Sequence, residues 1–154
     1  MSRETYTCLT LALLFSAVAL AAGGCGDDDS PAGPSRPAAP KWTVQLSGAR
    51  IVDVWGSSSS DVFAVGVNGT ILHYDGTSWS AMTSGTTVLL YGIWGSSASD
   101  VFAAGVSGTI LHYNGTTWSA MTSGTGYSLY GIWGSSGSDV FAVGECGTVL
   151  HYGR

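Results

Sequence analysis

Positive charge is nearly missing from this chain. Five Lys and Arg stand among 154 residues, only 10% of which are charged. No basic stretch exists to neutralise phosphates, which excludes nucleic acid as a partner and leaves attraction to anionic lipid headgroups unsupported. Nine acidic and four basic residues follow Cys25, so the deficit of positive charge persists past the leader. Cysteine is equally scarce. Cys8 lies inside an apolar run, Cys25 ends it, and Cys146 stands alone in the remainder, so no disulfide framework can be built. All four prolines fall between 31 and 40, and the residues after them carry none. What is abundant is glycine (23 residues) together with six Trp and seven Tyr, a composition suited to short strands and tight turns.

The one long hydrophobic run, Cys8 to Ala22, is shorter than the ~20 residues of a membrane-spanning helix and fits the core of a secretory signal. The small residues of Leu20-Ala21-Ala22-Gly23-Gly24 before Cys25 resemble the bacterial lipobox. That resemblance implies removal of residues 1–24 as a lipoprotein signal peptide and acylation of Cys25, with membrane lipid as a partner. An ordinary signal peptide cut after Ala21 is the alternative. The expected location is the bacterial cell envelope or surface, exported and lipid-anchored. Residues 25–40 have no apolar periodicity and read as a disordered Asp/Pro/Ala/Gly linker. Asp27 to Asp29 read as a solvated charge run within it.

From 41 to 154 the sequence repeats. Trp55-Gly56-Ser57-Ser58 returns at Trp94 and at Trp133, 39 residues apart each time, and residues 55–93 differ from 94–132 at only eight positions. Such a period in a β-rich chain marks a four-stranded propeller blade. In the second copy the strands are predicted at 89–94, 100–106, 109–113 and 118–122, with Ser107-Gly108 as a two-residue hairpin turn and Asn68-Gly69 in its place one copy earlier. Polarity rises from the first of these runs to the fourth, as expected where inner strands are sandwiched between blades. The pattern from Ile93-Trp94-Gly95-Ser96-Ser97 through Tyr113 to Trp118 resembles bacterial propeller repeats related to Asp-box and WD-repeat-like families. The Asp-box likeness, carried by Tyr74-Asp75-Gly76-Thr77-Ser78-Trp79, implies a structural hairpin turn and no sialidase activity.

The expected fold class is therefore all-β, with propeller-type four-stranded antiparallel blades, three blades' worth per chain in permuted order. Lys41 to Leu46, led by Trp42, aligns with the fourth strand, whereas the last copy stops after its third. The N-terminal strand is thus expected to complete the final blade, a velcro closure. Three blades fall short of the roughly four to eight that propellers use. The expected remedy is a homodimer forming a six-bladed ring, with a degenerate fragment or a tight three-bladed ring as alternatives.

No catalytic residue and no cofactor are expected. His73, His112 and His151 share the repeat spacing of a three-histidine zinc site, but they fall on the third strand, away from the axis, and read as hairpin-packing or surface residues. Asp61, Asp100 and Asp139 are expected to accept backbone N–H groups in their own turns. Only Arg50 and Asp53 bring charge to an inner strand. The six tryptophans read as blade packing, and Trp42, Trp79 and Trp118 are the candidates for stacking on a sugar. The leading expectation is a tethered, non-enzymatic interaction module for a protein or glycan ligand. A propeller lectin using the repeated Trp is one alternative, and a glycoside-hydrolase-related or degenerate fragment is the other.

Overall fold

The structure is a computed structural model, and it describes residues 39–153. The signal, Cys25 and nearly all of the linker lie outside the described residues. Among the described residues, eleven strands form three antiparallel sheets. The first blade is β1 (Ile51–Ser58), β2 (Asp61–Gly66), β3 (Ile71–Tyr74) and β4 (Trp79–Met82). The second is β5 (Leu90–Ser97), β6 (Asp100–Gly105), β7 (Ile110–Tyr113) and β8 (Trp118–Met121). The third has only β9 (Leu129–Ser136), β10 (Asp139–Gly144) and β11 (Val149–Tyr152). Strands are hydrogen-bonded in chain order within each blade, as hairpin-connected runs should be.

The turn chemistry is that of the sequence. Between the second and third strands, Asn68-Gly69 has φ of 55° and 66°, and Ser107-Gly108 has 56° and 70°. Two successive left-handed residues are the requirement of a type I′ hairpin turn, whose twist matches that of its strands. Cys146-Gly147 repeats this in the third blade with φ of 54° and 72°.

Two details depart from the sequence reading. The first strand of each blade runs through the Gly-Ser segment that was expected to turn, so β5 ends at Ser97 and the hairpin loop shrinks to Ala98-Ser99. The most buried strand is the second, not the first. In β6 every residue after Asp100 is buried, whereas β5 leaves Tyr91 and Trp94 partly exposed. A second strand has a pairing partner on each edge and a neighbouring blade on each face, while a first strand keeps one free edge.

Blades pack face to face. The first interface joins Phe63, Val65 and Ile71 of the first blade to Ile93, Val101, Leu111 and Trp118 of the second. The second interface joins Ala104 and Ile110 to Leu129, Ala142 and Leu150. Trp55 lies on Gly95, and Trp94 on Gly134, where any Cβ would meet the indole ring. These glycines are what allows a tryptophan to lie flat between blades.

The permuted closure is not made. Residues 41–46 join no sheet, and among the described residues β11 has an unpaired outer edge. Gln45 and Leu46 line a hollow beside Val54, Ala64 and Trp79 of the first blade instead. The face of the third blade that looks away from the second is uncovered. Val143 is 48% exposed where Val65 is 0%, and Val149 is 66% exposed where Ile71 is 1%.

Candidate functional site

Two groups of side chains on this scaffold have the arrangement of a site. The first is a three-residue cluster present once per blade. Asp61 opens β2, and its Oδ1 lies 2.7 Å from His73 Nε2 while its Oδ2 accepts the hydroxyl of Ser57. Asp100 does the same for His112 and Ser96, and Asp139 for His151 and Ser135. The imidazole of each also lies against a phenylalanine of the second strand, with ring centroids 4.5 Å apart at Phe63, 4.4 Å at Phe102 and 4.2 Å at Phe141. The geometry follows from pairing, because Phe63 sits directly opposite His73 and Ser58 opposite Asp61.

The order of the three groups decides what they can do. In a hydrolytic triad the imidazole stands between hydroxyl and carboxylate and takes the hydroxyl proton. Here the carboxylate stands between them, so the serine donates to an anion and no base contacts it. The cluster therefore staples the first hairpin of a blade to its third strand. Its aspartates were expected to serve backbone N–H groups in their own turns; side chains four residues before and twelve after take that place. In the third blade the Ser135 hydroxyl, and then His151, hold the Asp139 carboxyl below its ordinary range. The three histidines sit in three different blades, each on its own aspartate, so the repeat spacing brings no two of them together.

The second group lies on the first strands, where β5 sits against both β1 and β9. A break in register between Ile51 and Asp53 leaves Val52 without a partner across the sheet, and one between Leu90 and Gly92 leaves Tyr91 so. Tyr130 is the same repeat position in the third blade, between Leu129 and Gly131, where the pairing shifts again. Bulges re-aim side chains out of a ladder, and the result here is a stripe of Val52, Tyr91 and Tyr130. The two tyrosine rings meet edge-on at 5.1 Å. Tyr130 is 49% exposed, and its hydroxyl donates to Glu145 Oε1 at 2.9 Å. Glu145 Oε2 accepts the Ser128 N–H at 3.0 Å. That backbone bond, followed by the tyrosine, holds the Glu145 carboxyl low, and the same carboxylate raises the Tyr130 phenol. Asp53 is tied down in a different way: its Oδ2 accepts the Ile93 N–H across the first blade interface at 2.9 Å.

The tryptophans singled out for stacking are not brought together. Trp42 is fully exposed. Trp79 is half-buried against Tyr74, with centroids 5.3 Å apart. Trp118 is 9% exposed, lies against Tyr113 and edge-on to Phe63, and its Nε1 is buried without a partner. A ring placed so offers neither face nor N–H to a sugar. Asp75 and Asn114 each accept two backbone N–H groups in the turn before the fourth strand. Cys146 is exposed.

The sequence reading named the aspartates and histidines of the first group separately without joining them, and it did not name the second group. Ser, Asp and His recur in all three copies, but so do most positions of the repeat, so recurrence alone did not single out the first group. The bulges left no sequence signal at all.

Fold and site together define a β-propeller-type protein. No family model matches the chain, and no curated protein does. Solved structures do. One titled "YCF48 bound to D1 peptide" is similar over 70% of this chain, with a TM-score of 0.59 and 19% identity. YCF48 from Cyanidioschyzon merolae is similar over 70%, with a TM-score of 0.58 and 17% identity. This chain spans 39% of the length of each. The likeness is one of fold.

Proposed function

We propose that the protein is a lipid-tethered, non-enzymatic binding module of the cell envelope that receives a polypeptide segment along the stripe of Val52, Tyr91 and Tyr130. The observation that carries this reading is the placement of two adjoining tyrosines by bulges on the first strands, Tyr130 exposed and Tyr91 half-buried beside it. Tyrosine offers large contact area and a hydroxyl at low entropic cost, the properties favoured at protein-binding surfaces. A structure of the same fold bears a title naming a bound peptide, which supports the ligand class. Acylated Cys25 and the linker of 25–40 would hold the domain about 20 Å from the bilayer, by random-coil scaling. Within the envelope two chains would close a six-bladed ring, in which the tyrosine stripe lines the axis.

The test is site-specific photocrosslinking in the native host. A photoreactive residue at Tyr91 or Tyr130 should give a discrete protein adduct, and one at exposed Thr116 should not. Equal labelling at all three positions, or none at the tyrosines, would refute the proposal.

A further inference from the structure

A cavity of about 100 Å³ lies in the second blade interface, between Phe102, Ile110 and Met121 on one side and Ala142, Leu150 and Tyr152 on the other. Shifted back by one 39-residue repeat, these are Phe63, Ile71, Met82, Ala103, Leu111 and Tyr113, the residues gathered around Trp118 in the first interface. The second interface has no counterpart of Trp118, because among the described residues the third blade has no fourth strand. One tryptophan of the chain stands fully exposed, at the head of a segment that aligns with the fourth strands: Trp42. We propose that residues 41–46 of one chain form the fourth strand of the third blade of a second copy, with Trp42 entering this cavity.

The register follows from β7 and β8, where Tyr113 pairs with Trp118, His112 with Ser119, Leu111 with Ala120 and Ile110 with Met121. Carried to the third blade, it sets Tyr152 opposite Trp42, His151 opposite Thr43, Leu150 opposite Val44 and Val149 opposite Gln45. The unpaired edge of β11 supplies the backbone groups.

Chain reach selects the second copy over the chain's own third blade. Gln45 to Ile51 is six residue steps, about 20 Å when extended. A fourth strand lies three strand spacings from the first, and packed sheets lie one sheet spacing apart. A neighbouring blade's fourth strand is thus ~17 Å from β1, and that of a blade two sheets away ~24 Å. The chain's own third blade is two sheets away, with the second blade between.

The end faces agree. The uncovered face of the third blade presents Trp133 at 59% exposure, and the first blade presents Val54 at 58%, where the covered Ile93 is at 5%. Trp55 lies on Gly95 and Trp94 on Gly134, so Trp133 would lie on the second copy's Gly56. The two end faces are the same pair that meets inside the chain. This assembly is the ring of the preceding section, but its test needs no ligand, so the two readings fail separately.

Light scattering on the full chain carrying Cys25→Ser, in reductant, should give twice the chain mass. Trp42→Ala, a change at a side chain fully exposed in the single copy, should weaken association about 100-fold while the circular dichroism stays unchanged. Val44→Pro, which withdraws an N–H from the pairing strand, should act in the same direction. A monomer at tens of micromolar, or a dimer indifferent to both substitutions, overturns the proposal.

Discussion

Val65 and Val143 are one residue type at one position of the repeat, and they differ in whether a blade covers them. Val65 is 0% exposed in the core with Ile71 and Leu90, whereas Val143 is 48% exposed on the end face. Val→Ala removes two methyl groups, worth about 1.6 kcal/mol of transfer free energy at ~0.8 per carbon. At Val65 the surrounding β-sheets can close only partly on the space, and a residual void adds about 1 kcal/mol. The sum is roughly 2–3 kcal/mol for Val65→Ala, a fall in melting temperature on the order of 10 °C for a domain of this size. At Val143 about half of the transfer term is already forfeited to water and no enclosed void forms, leaving under ~1 kcal/mol. Urea unfolding followed by tryptophan fluorescence at submicromolar protein measures both, with the slope checked for constancy. Repeating it at high protein concentration adds a second reading, because a copy seated on the end face would raise the cost at Val143 and leave Val65 unchanged. Equal losses at the two positions at low concentration would refute the assignment of covered and uncovered faces.

Three further outcomes are expected. The Asp139 carboxyl is held below its ordinary value of 3.8 by Ser135 and His151; a depressed carboxylate stabilises the fold above its unfolded value and loses that contribution as pH falls through the folded one. Acid titration of Asp139→Asn should therefore show a shallower loss of stability below about pH 4 than the parent, and parallel curves would argue against the cluster. Cys146 occupies a left-handed position that costs a non-glycine residue about 1–2 kcal/mol, less for Asn; Cys146→Asn, matching Asn68, should raise the unfolding midpoint, and a lower one would show that the thiol does more than fill a turn. Palmitate labelling in the host should mark the parent and spare Cys25→Ala; label persisting in the variant would place the lipid elsewhere.

Much of this architecture was written in the sequence. A 39-residue period, Asn-Gly and Ser-Gly turns and short apolar runs determine the strands and their hairpin order, because each depends on residues close together in the chain. Long-range geometry decided the rest. Whether Asp100 serves its own turn or reaches His112 depends on which residues of adjacent strands lie opposite, and a one-residue bulge changes that without leaving a mark in composition. Trp79 and Trp118 are the same letter in the repeat, yet one is half-buried and the other sealed, because a blade covers only the second. Trp42 is the third of that set. Its sequence position announces a fourth strand, but only the tertiary structure shows the strand unpaired and the cavity that its indole would fill, since burial is a property of neighbours the local sequence does not name.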